Sequence, residues 1–369
     1  MADSMDQLVA SLGASCEVDA DPFDTNKPHP HFADYAHLRK PASLMGDQDK
    51  RRLECLKRQK SKRDKVYNLQ RQLRKEFEAV DDSDDEAPET YENLHKKSTE
   101  TTPKKWTFRH ELMLSEWLVD VPTDLEENWL LKPCPKGQRM MVVATQGTTK
   151  AYTKSGYVVA TFSSGLPGGH RASRQGITIL DCIWDFDNRT YYVLDVLAWN
   201  NIELLDCETE FRFYWLKTKL DECPEVTCHS DKNRNAFVPL QSFECSEDHL
   251  INVMNRYPMF SEERNKDPGL DGMLFYHKKN LYEHGTTPLV TWLKPFMMED
   301  VLGIKVHESY VIERPESYSG QAAYIKEFEE AAQAKKASYR GKWRKGKTGG
   351  KGQDTNMDCA EDCDESKMD

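Results

Sequence analysis

The sequence predicts an α+β fold with a substantial antiparallel sheet, confined to one domain. Most apolar and aromatic residues fall between Trp106 and Tyr310, a stretch of about 200 residues that can bury enough surface to fold alone. Inside it, runs rich in β-branched and aromatic residues are bounded by turn residues, as strands are, at 139–145, 177–183, 190–197, 273–277 and 289–293. Residues 187–189 separate two of these runs at hairpin distance. Residues 246–256 instead have helical spacing, and the expected buried face is Leu250, Val253, Met254 and Tyr257.

Composition divides the chain into five segments. Charged residues make up 31% of the chain and hydrophobic residues 38%, and both ends are polar. The predicted segments are a disordered leader over 1–26, a basic helical segment over 27–76, an acidic and polar linker over 77–104, the folded domain over 105–312 and a polar, largely disordered tail over 313–369. The leader spaces apolar residues among acids, which fits either a weak amphipathic or disordered segment or a short peptide that docks in a hydrophobic groove.

The strongest charge pattern lies in residues 50–92. Residues 50–75 hold 12 Lys and Arg against 2 acids, and residues 76–92 hold 9 acids and no Lys or Arg. Helix formers dominate from 47 to 78 without Pro or Gly, which predicts one long helix. Because the whole chain is net −11, the pattern indicates a dedicated basic arm rather than a general polyanion binder. The helix is expected to order on an acidic partner, because its apolar stripe is too narrow to hold it against a core: Leu53, Leu56, Val66, Leu69, Leu73 and Phe77.

Cysteine usage and hydropathy argue against several classes of protein. The ten cysteines include no C-x-x-C pair, which disfavours a zinc ribbon. Cys223, Cys228 and His229 come nearest to a metal cluster, and free thiols in a loop are the competing interpretation. Cysteines in both polar ends suit a reducing compartment. With no signal-peptide pattern and no run of membrane-spanning length, a soluble intracellular protein without membrane contact is expected.

Two residues of the domain have side chains suited to nucleotide binding. Lys154 lies among small residues and resembles a phosphate-reaching lysine, although an exposed lysine at a turn would look the same. Trp292 lies on a predicted strand and is either a half-buried core residue or a flat face that stacks on a nucleobase. A methylated, positively charged purine would gain further from cation–π attraction to the indole.

The basic segment and several short strings of the domain together resemble the snurportin family, adaptors that carry spliceosomal small ribonucleoproteins into the nucleus. The resemblance extends to about residue 310. His29-Pro30 and the basic helix resemble the family's importin-β-binding segment. Strings that resemble its cap-binding domain lie at 112–118, 120–122, 151–157, 166–169, 211–215, 271–277 and 287–295.

This resemblance implies that the domain binds the 2,2,7-trimethylguanosine cap of spliceosomal RNA. Trp292 would stack on the guanine, and Trp117 would pack near its exocyclic methyl groups. Apolar space around the exocyclic nitrogen would favour trimethylated over monomethylated caps, within the roughly 1–3 kcal/mol that a methyl-sized contact can supply. The cap residues that it implies, including the adjoining pocket and the contacts to the triphosphate bridge, are Trp292, Trp117, Ser115, Leu114, Lys154 and Arg139.

The same resemblance implies a monomeric import adaptor that shuttles between nucleus and cytoplasm. Many cations of the basic segment would contact the acidic inner surface of importin-β: Lys50, Arg51, Arg52, Lys57, Arg58, Lys60, Lys62, Arg63, Lys65, Arg71 and Arg74. An exportin would return the empty adaptor by binding the spaced apolar residues of the leader: Met5, Leu8, Leu12, Cys16 and Val18.

The cap-binding domain in turn resembles the nucleotidyltransferase fold of mRNA capping enzymes and ligases. Those enzymes use a lysine within K-x-D-G as covalent nucleophile and hold a metal with carboxylates. Here Lys154-Ser155-Gly156 lacks the acid, and Asp181-Cys182 stands where the enzymes have Asp-Gly-Glu. We therefore expect binding without enzymatic activity, cofactor or metal. The open alternatives are a guanylyltransferase or ligase that uses Lys154 and a general RNA-binding protein whose basic arm grips phosphates.

Overall fold

A computed structural model describes residues 48–80, 108–230, 233–260 and 266–347. The predicted leader, residues 27–47 of the basic segment, the linker from residue 81 to 104 and the tail beyond 347 lie outside the described residues. The exportin-binding positions in the leader therefore stay predictions.

The described residues form twelve strands, a short 3₁₀ turn at Pro295–Met297 and several helices. The strands are β1 (Met113–Trp117), β2 (Trp129–Pro135), β3 (Gln138–Thr145), β4 (Thr148–Tyr152), β5 (Val158–Phe162), β6 (Ile177–Asp185), β7 (Thr190–Trp199), β8 (Ile202–Glu203), β9 (Ala236–Pro239), β10 (Phe243–Glu244), β11 (Leu270–His277) and β12 (Gly285–Leu293). The helices are α1 (Gln48–Val80), α2 (Leu125–Asn128), α3 (Thr209–Asp221), α4 (Pro224–Thr227), α5 (Glu247–Met254), α6 (Met298–Leu302), α7 (Glu308–Ile312) and α8 (Gln321–Lys347).

Two sheets form the centre of the domain. The first sheet has the strand order β1-β12-β11-β2-β10, and the second has the order β5-β4-β3-β6-β7-β8 with β9 beside β7. Neighbouring strands run antiparallel except for the pairs β1–β12 and β7–β9. The α+β class with antiparallel sheets that the sequence predicts is confirmed.

Alternation along the strands gives each sheet two apolar faces. Met141 of the second sheet and Leu274 of the first belong to one cluster between the sheets. Their chain neighbours point the other way: Met140 packs with residues of α3 and α4, and Met273 packs with residues of α5, α6 and α7. The sheets therefore pack face to face, and helices cover both outer faces.

The periodic segments are placed as the sequence predicts. The five predicted runs fall in β3, β6, β7, β11 and β12, and residues 186–189 join β6 to β7 as a hairpin. Helix α5 buries Leu250, Val253 and Met254. Tyr257 was expected on that face but is exposed, because α5 ends at Met254 and Tyr257 follows it by three residues.

The basic helix forms as predicted, but the expectation that it would not be held against the core is wrong for its first three turns. Arg52, Cys55 and Gln59 are buried against the domain at helical spacing. Leu53, which belongs to the expected apolar stripe, is 58% exposed. The packing face is polar, and a search for apolar periodicity cannot find such a face.

The prediction of a largely disordered tail after residue 312 is wrong for α8. Tyr324 and Phe328 pack on the domain, and Ile325 between them is 2% exposed. These residues recur at the spacing of one helical face. The packed part of the chain therefore extends past residue 312.

The described part of the chain has no helix long and apolar enough to cross a lipid bilayer. Its His, Cys, Asp and Glu side chains also form no group of three or more that could hold a metal ion. Among the described residues, Cys223, Cys228 and His229 are not brought together as such a group, and Cys223 and Cys228 form no disulfide.

Candidate functional site

The two predicted cap-binding tryptophans lie on paired strands at one edge of the first sheet. β1 pairs with β12 in parallel, which sets Trp117 in register with Trp292. A β-bulge between Ser115 and Glu116 shifts this register just before Trp117, as bulges do where a side chain must be re-aimed. Leu114 and Trp292 both pack at the margin of the cluster between the sheets, whereas Trp117 packs against the cluster on the outer face of the first sheet. One sheet edge therefore brings together four of the six predicted cap residues.

Trp292 lies directly on a glycine. A Cβ on residue 272 would overlap the six-membered ring of the indole, so only glycine lets β11 approach the ring this closely. The indole remains half-buried. Lys294 follows the end of β12 directly, with its Nζ 5.9 Å from the ring centroid and 2.8 Å from Oδ1 of Asp271. The site thus has a supported flat ring flanked by an ion pair.

Sequence analysis gave no role to Gly272, Asp271 or Lys294. All three stood in the strings that carried the family resemblance, Asp271–His277 and the one ending at Pro295. The signal was therefore present as a motif, but the contact between glycine and indole depends on the pairing of β11 with β12.

Arg139 lies between the two sheets and is already paired. Its Nε and Nη2 atoms lie 2.6 and 2.7 Å from the two carboxylate oxygens of Asp181, and Nη2 also donates to the carbonyl of Met113 on β1. Tyr282 donates its hydroxyl to Asp181 and accepts the backbone N–H of Met113. Burial alone would lower the pKa of Arg139, but attraction to Asp181 outweighs it and raises the pKa of the guanidinium. The arginine links the second sheet to the strand that carries Trp117.

Lys154 lies on a tight turn after β4. The turn closes through hydrogen bonds from the Gly156 N–H to the Thr153 carbonyl and from the Thr153 N–H to the Tyr157 carbonyl, and His110 donates its backbone N–H to the Lys154 carbonyl at 3.1 Å. Gly156 has a φ of 85° and abuts the backbone of Arg109, so a side chain there would be strained and would clash. No carboxylate of the described residues lies within ion-pair distance of the Lys154 ammonium group.

Arg139 on β3 and Lys154 on the turn after β4 lie at the same end of the β3–β4 ladder. The β3–β4 ladder ends at the pair Met141 and Tyr152. Arg139 precedes Met141 by two residues, and Lys154 follows Tyr152 by two residues. The turn thus brings a second cation to the end of the second sheet that holds Arg139. A guanidinium and an ammonium group at one end of a sheet can together bind phosphate oxygens.

The C-terminal helix adds two aromatic rings to the site that sequence analysis did not include. The Trp117 ring centroid lies 5.6 Å from that of Phe328 and 6.2 Å from that of Tyr324, and the ring planes are nearly perpendicular in both pairs. Gln321, at the start of α8, donates its Nε2–H to the carbonyl of Leu118 at 2.6 Å. The helix therefore backs the Trp117 side of the site.

The basic helix contacts the same strand from another direction. Arg51 makes a bidentate ion pair with Glu116, with distances of 2.6 and 2.8 Å. Gln48 donates to the Trp117 carbonyl, and its Oε1 accepts from the side chain of Arg52. The predicted importin-β-binding helix and the predicted cap-binding strand are thus directly bonded to each other.

The predicted importin-β-binding cations divide into two groups. Arg51, Arg52, Arg58 and Arg63 face the domain, where Arg58 pairs with Glu283 at 2.7 Å and Arg63 pairs with Glu208 at 2.9 Å. Arg74 has a side chain outside the described ones. The remaining six are exposed to solvent: Lys50, Lys57, Lys60, Lys62, Lys65 and Arg71.

Solved structures with partial similarity are DNA ligases. The ligase domain of M. tuberculosis LigD shares 14% identity, covering 49% of this chain and 58% of that one, at a TM-score of 0.32. Chlorella virus DNA ligase-adenylate shares 13% identity, covering 50% of this chain and 68% of that one, also at 0.32. This chain thus spans less than two thirds of the LigD ligase domain. No chemistry is assigned from similarity this slight.

Two family models match the chain. One is described as "Snurportin1" and matches residues 29–72, the basic segment. The other is described as "Snurportin1, m3G cap-binding domain" and matches residues 111–295, half of the 369 residues. That match includes both paired tryptophans, Gly272 and Lys154, and ends at the 3₁₀ turn after β12. The chain therefore belongs to the snurportin family.

Proposed function

We propose that this protein is a nuclear import adaptor that binds trimethylguanosine-capped small nuclear RNA through the edge of the first sheet and links it to importin-β. The observation that carries the cap half of this proposal is the half-buried Trp292, backed on one face by Gly272. A ring supported in this way loses no freedom when a base stacks on it, and such stacking is worth about 1–3 kcal/mol. The positive charge of a 7-methylguanine adds cation–π attraction.

The remaining cap residues have separate roles in this proposal. Trp117 and Leu114 offer apolar surface to the exocyclic methyl groups, and Ser115 lies between them on β1. Lys154 contacts the triphosphate bridge, and Arg139 adds the exposed quarter of its side chain while its pairing with Asp181 keeps it in place. Lys294 is a further cation, and its ammonium group lies 5.9 Å from the centroid of the Trp292 ring.

The test of cap binding is tryptophan fluorescence of the full chain titrated with cap analogues carrying zero, one or three methyl groups. We expect the trimethylated analogue to bind most tightly. Trp292→Ala should weaken its binding by about 5- to 150-fold, which corresponds to the loss of one stacked base. Trp215→Ala is the matched control, because Trp215 is a half-buried tryptophan of α3 on the outer face of the second sheet. Equal affinities for all three analogues would overturn the cap assignment.

We propose binding without transfer chemistry, in contrast to a guanylyltransferase or ligase. The enzyme motif K-x-D-G requires an acid two residues after its lysine. In this chain the residue two positions after Lys154 is Gly156, not an acid. Asp181 is buried and holds Arg139 with both oxygens, so this carboxylate is already committed to an internal cation. Incubation with labelled nucleoside triphosphate and Mg²⁺ should leave no label on the chain, and a label that Lys154→Ala removes would establish the enzyme instead.

The importin-β half of the proposal depends on the exposed face of α1. Lys60, Lys62 and Lys65 are exposed and lie within one and a half turns of helix, so an acidic surface could contact them together. Charge reversal at Lys60, Lys62 and Lys65 should weaken importin-β binding by about tenfold or more and leave cap affinity within about twofold. A parallel loss of both affinities would show that the two modules are not separable.

A general RNA-binding arm is the rival for the same cations. Its affinity for RNA would fall steeply with salt and would not respond to cap methylation. Adaptor binding should respond to methylation at every salt concentration.

The exportin-binding leader completes the proposed shuttle: Leu8→Ala combined with Leu12→Ala should abolish exportin binding and leave import intact.

A further inference from the structure

Helix α8 is fixed to both strands that carry the site. Gln321 bonds to the Leu118 carbonyl at the end of β1. Tyr324 packs on Phe296, which follows β12, with ring centroids 5.6 Å apart. Ile325 is buried between these contacts. The first two turns of α8 therefore move with β1 and β12 as one unit.

The rings of α8 fix the orientation of the Trp117 indole. Phe328 and Tyr324 stack on each other at 6.3 Å, and each meets Trp117 nearly at right angles. Perpendicular and offset ring pairs are the favoured geometries, so two such neighbours restrict rotation of the indole more than one would. Trp117 on its edge strand would otherwise have freedom about both side-chain torsions.

Tyr324 also lies close enough to a carboxylate at the other tryptophan to be affected by its charge. Burial and the nearby Asp271 carboxylate raise the pKa of the Tyr324 hydroxyl, so this group stays neutral. Asp271 pairs with Lys294, whose ammonium group lies over the Trp292 ring. One tyrosine therefore contacts Trp117 and lies beside the ion pair that flanks Trp292.

We propose that Tyr324 and Phe328 are positioning residues for methyl recognition, because they hold Trp117 as a rigid apolar wall against the exocyclic nitrogen of the capped guanine. This inference rests on the proposed function. Discrimination by methyl groups requires a wall that cannot move away from an unmethylated ligand, since a mobile wall accepts both. The stacking contact with Trp292 is common to all 7-methylated caps and does not depend on these two residues.

The test compares the full chain with Phe328→Ala, Phe328→Tyr and Tyr324→Leu. The measured quantity is the ratio of dissociation constants for monomethylated and trimethylated cap analogues. Phe328→Ala should lower this ratio by about 2- to 12-fold, the factor that losing one aromatic pair produces. The decrease should come from weaker binding of the trimethylated analogue. Phe328→Tyr keeps the ring and should restore the ratio, and Tyr324→Leu should lower it as Phe328→Ala does.

Phe211→Ala is the matched control, because Phe211 is a partly exposed phenylalanine of α3 that contacts Trp215 and not Trp117. It should leave the ratio unchanged. An unchanged ratio in Phe328→Ala and Tyr324→Leu would overturn the inference, and so would an equal loss of affinity for both analogues, which indicates a merely structural role. Failure of the proposed function looks different, since the unaltered chain would then show no preference for trimethylated caps.

Discussion

The two long helices α1 and α8, at opposite ends of the described residues, contact the end of the same strand by different chemistry. α1 uses polar side chains: Arg51 pairs with Glu116, Gln48 donates to the Trp117 carbonyl, and the buried Arg52 donates to the Pro288 carbonyl. α8 uses two aromatic rings and a buried isoleucine, with one amide hydrogen bond to Leu118.

This difference indicates which helix can leave. Polar contacts can be exchanged for equivalent contacts with an acidic partner, so α1 can be transferred to another surface at modest cost. An apolar face has no such exchange in water, because its release exposes hydrophobic surface. We therefore interpret α8 as part of the cap-binding domain and α1 as a detachable arm that is docked in this structure.

The largest effect is expected at Arg52, which donates to the carbonyls of Asp120 and Pro288. Arg52→Met keeps the length of the side chain but leaves these acceptors unmatched, which should weaken docking of α1 by about 3 kcal/mol. Amide hydrogen exchange over residues 48–63 should rise about 100-fold while exchange in α8 stays constant. Lys57→Met is the control, since Lys57 is exposed on the same helix. Equal protection in both variants would contradict a polar docking surface.

A somewhat smaller effect is expected at Ile325, which is 2% exposed. Ile325→Ala removes buried methylene groups and should loosen α8 by about 2 kcal/mol. The same exchange measurement should now show loss of protection in α8 and none in α1. Ala323→Gly on the exposed side of α8 serves as the comparison for helix propensity alone. Simultaneous loosening of α1 and α8 would show that the helices are not independent.

Acidification should act on the α1 side of the domain. Burial lowers the pKa of His277 to about 4, and the His277 ring packs on Trp129, over which Arg52 lies at 5.2 Å. The unfolded chain takes up the proton near pH 6.5, so stability present above that pH is lost as pH falls toward 4. We expect a loss of about 1 to 2 kcal/mol between pH 7 and pH 5. His277→Gln should flatten this dependence in an unfolding titration, and an unaltered pH profile would contradict the assignment.

The smallest effect should come from salt. Raising NaCl from about 0.05 M to about 0.5 M shortens the screening length to a few ångströms. The partly exposed pairs of Arg51, Arg58 and Arg63 should then lose about 0.5 to 1 kcal/mol of α1 docking in total. Protection of α8 should stay constant or rise. Salt-induced loosening of α8 alone would invert the comparison.

Local sequence patterns predicted the parts of the fold that repeat. β-rich runs located β3, β6, β7, β11 and β12, helix-forming composition located α1, and helical spacing located α5. The short strand β1 was missed as a strand although its letters, Met113 to Trp117, were singled out for the site. Its place is set by pairing with a strand about 170 residues away, which no local pattern encodes.

The residues of the candidate site were predicted through the family resemblance, but the contacts that hold them in place were not. Trp117 and Trp292 are paired in register on β1 and β12, and their roles in cap binding stay predictions. The contact of Gly272 with the indole and the pairing of Arg139 with Asp181 depend on sheet register. Polar docking by α1 could not be inferred either, because its partners are backbone carbonyls and carboxylates far away in the chain.

β1 is the outermost strand of the first sheet, and side chains satisfy its outward backbone groups in place of a neighbouring strand. The hydrogen bonds are Met113 N–H to Tyr282, Arg139 to Met113 O, Gln48 to Trp117 O and Gln321 to Leu118 O. Bare strand edges recruit strands from other molecules. A shortened chain without the two flanking helices would expose two of these four groups, so self-association is the defect to expect from a minimal version of this domain.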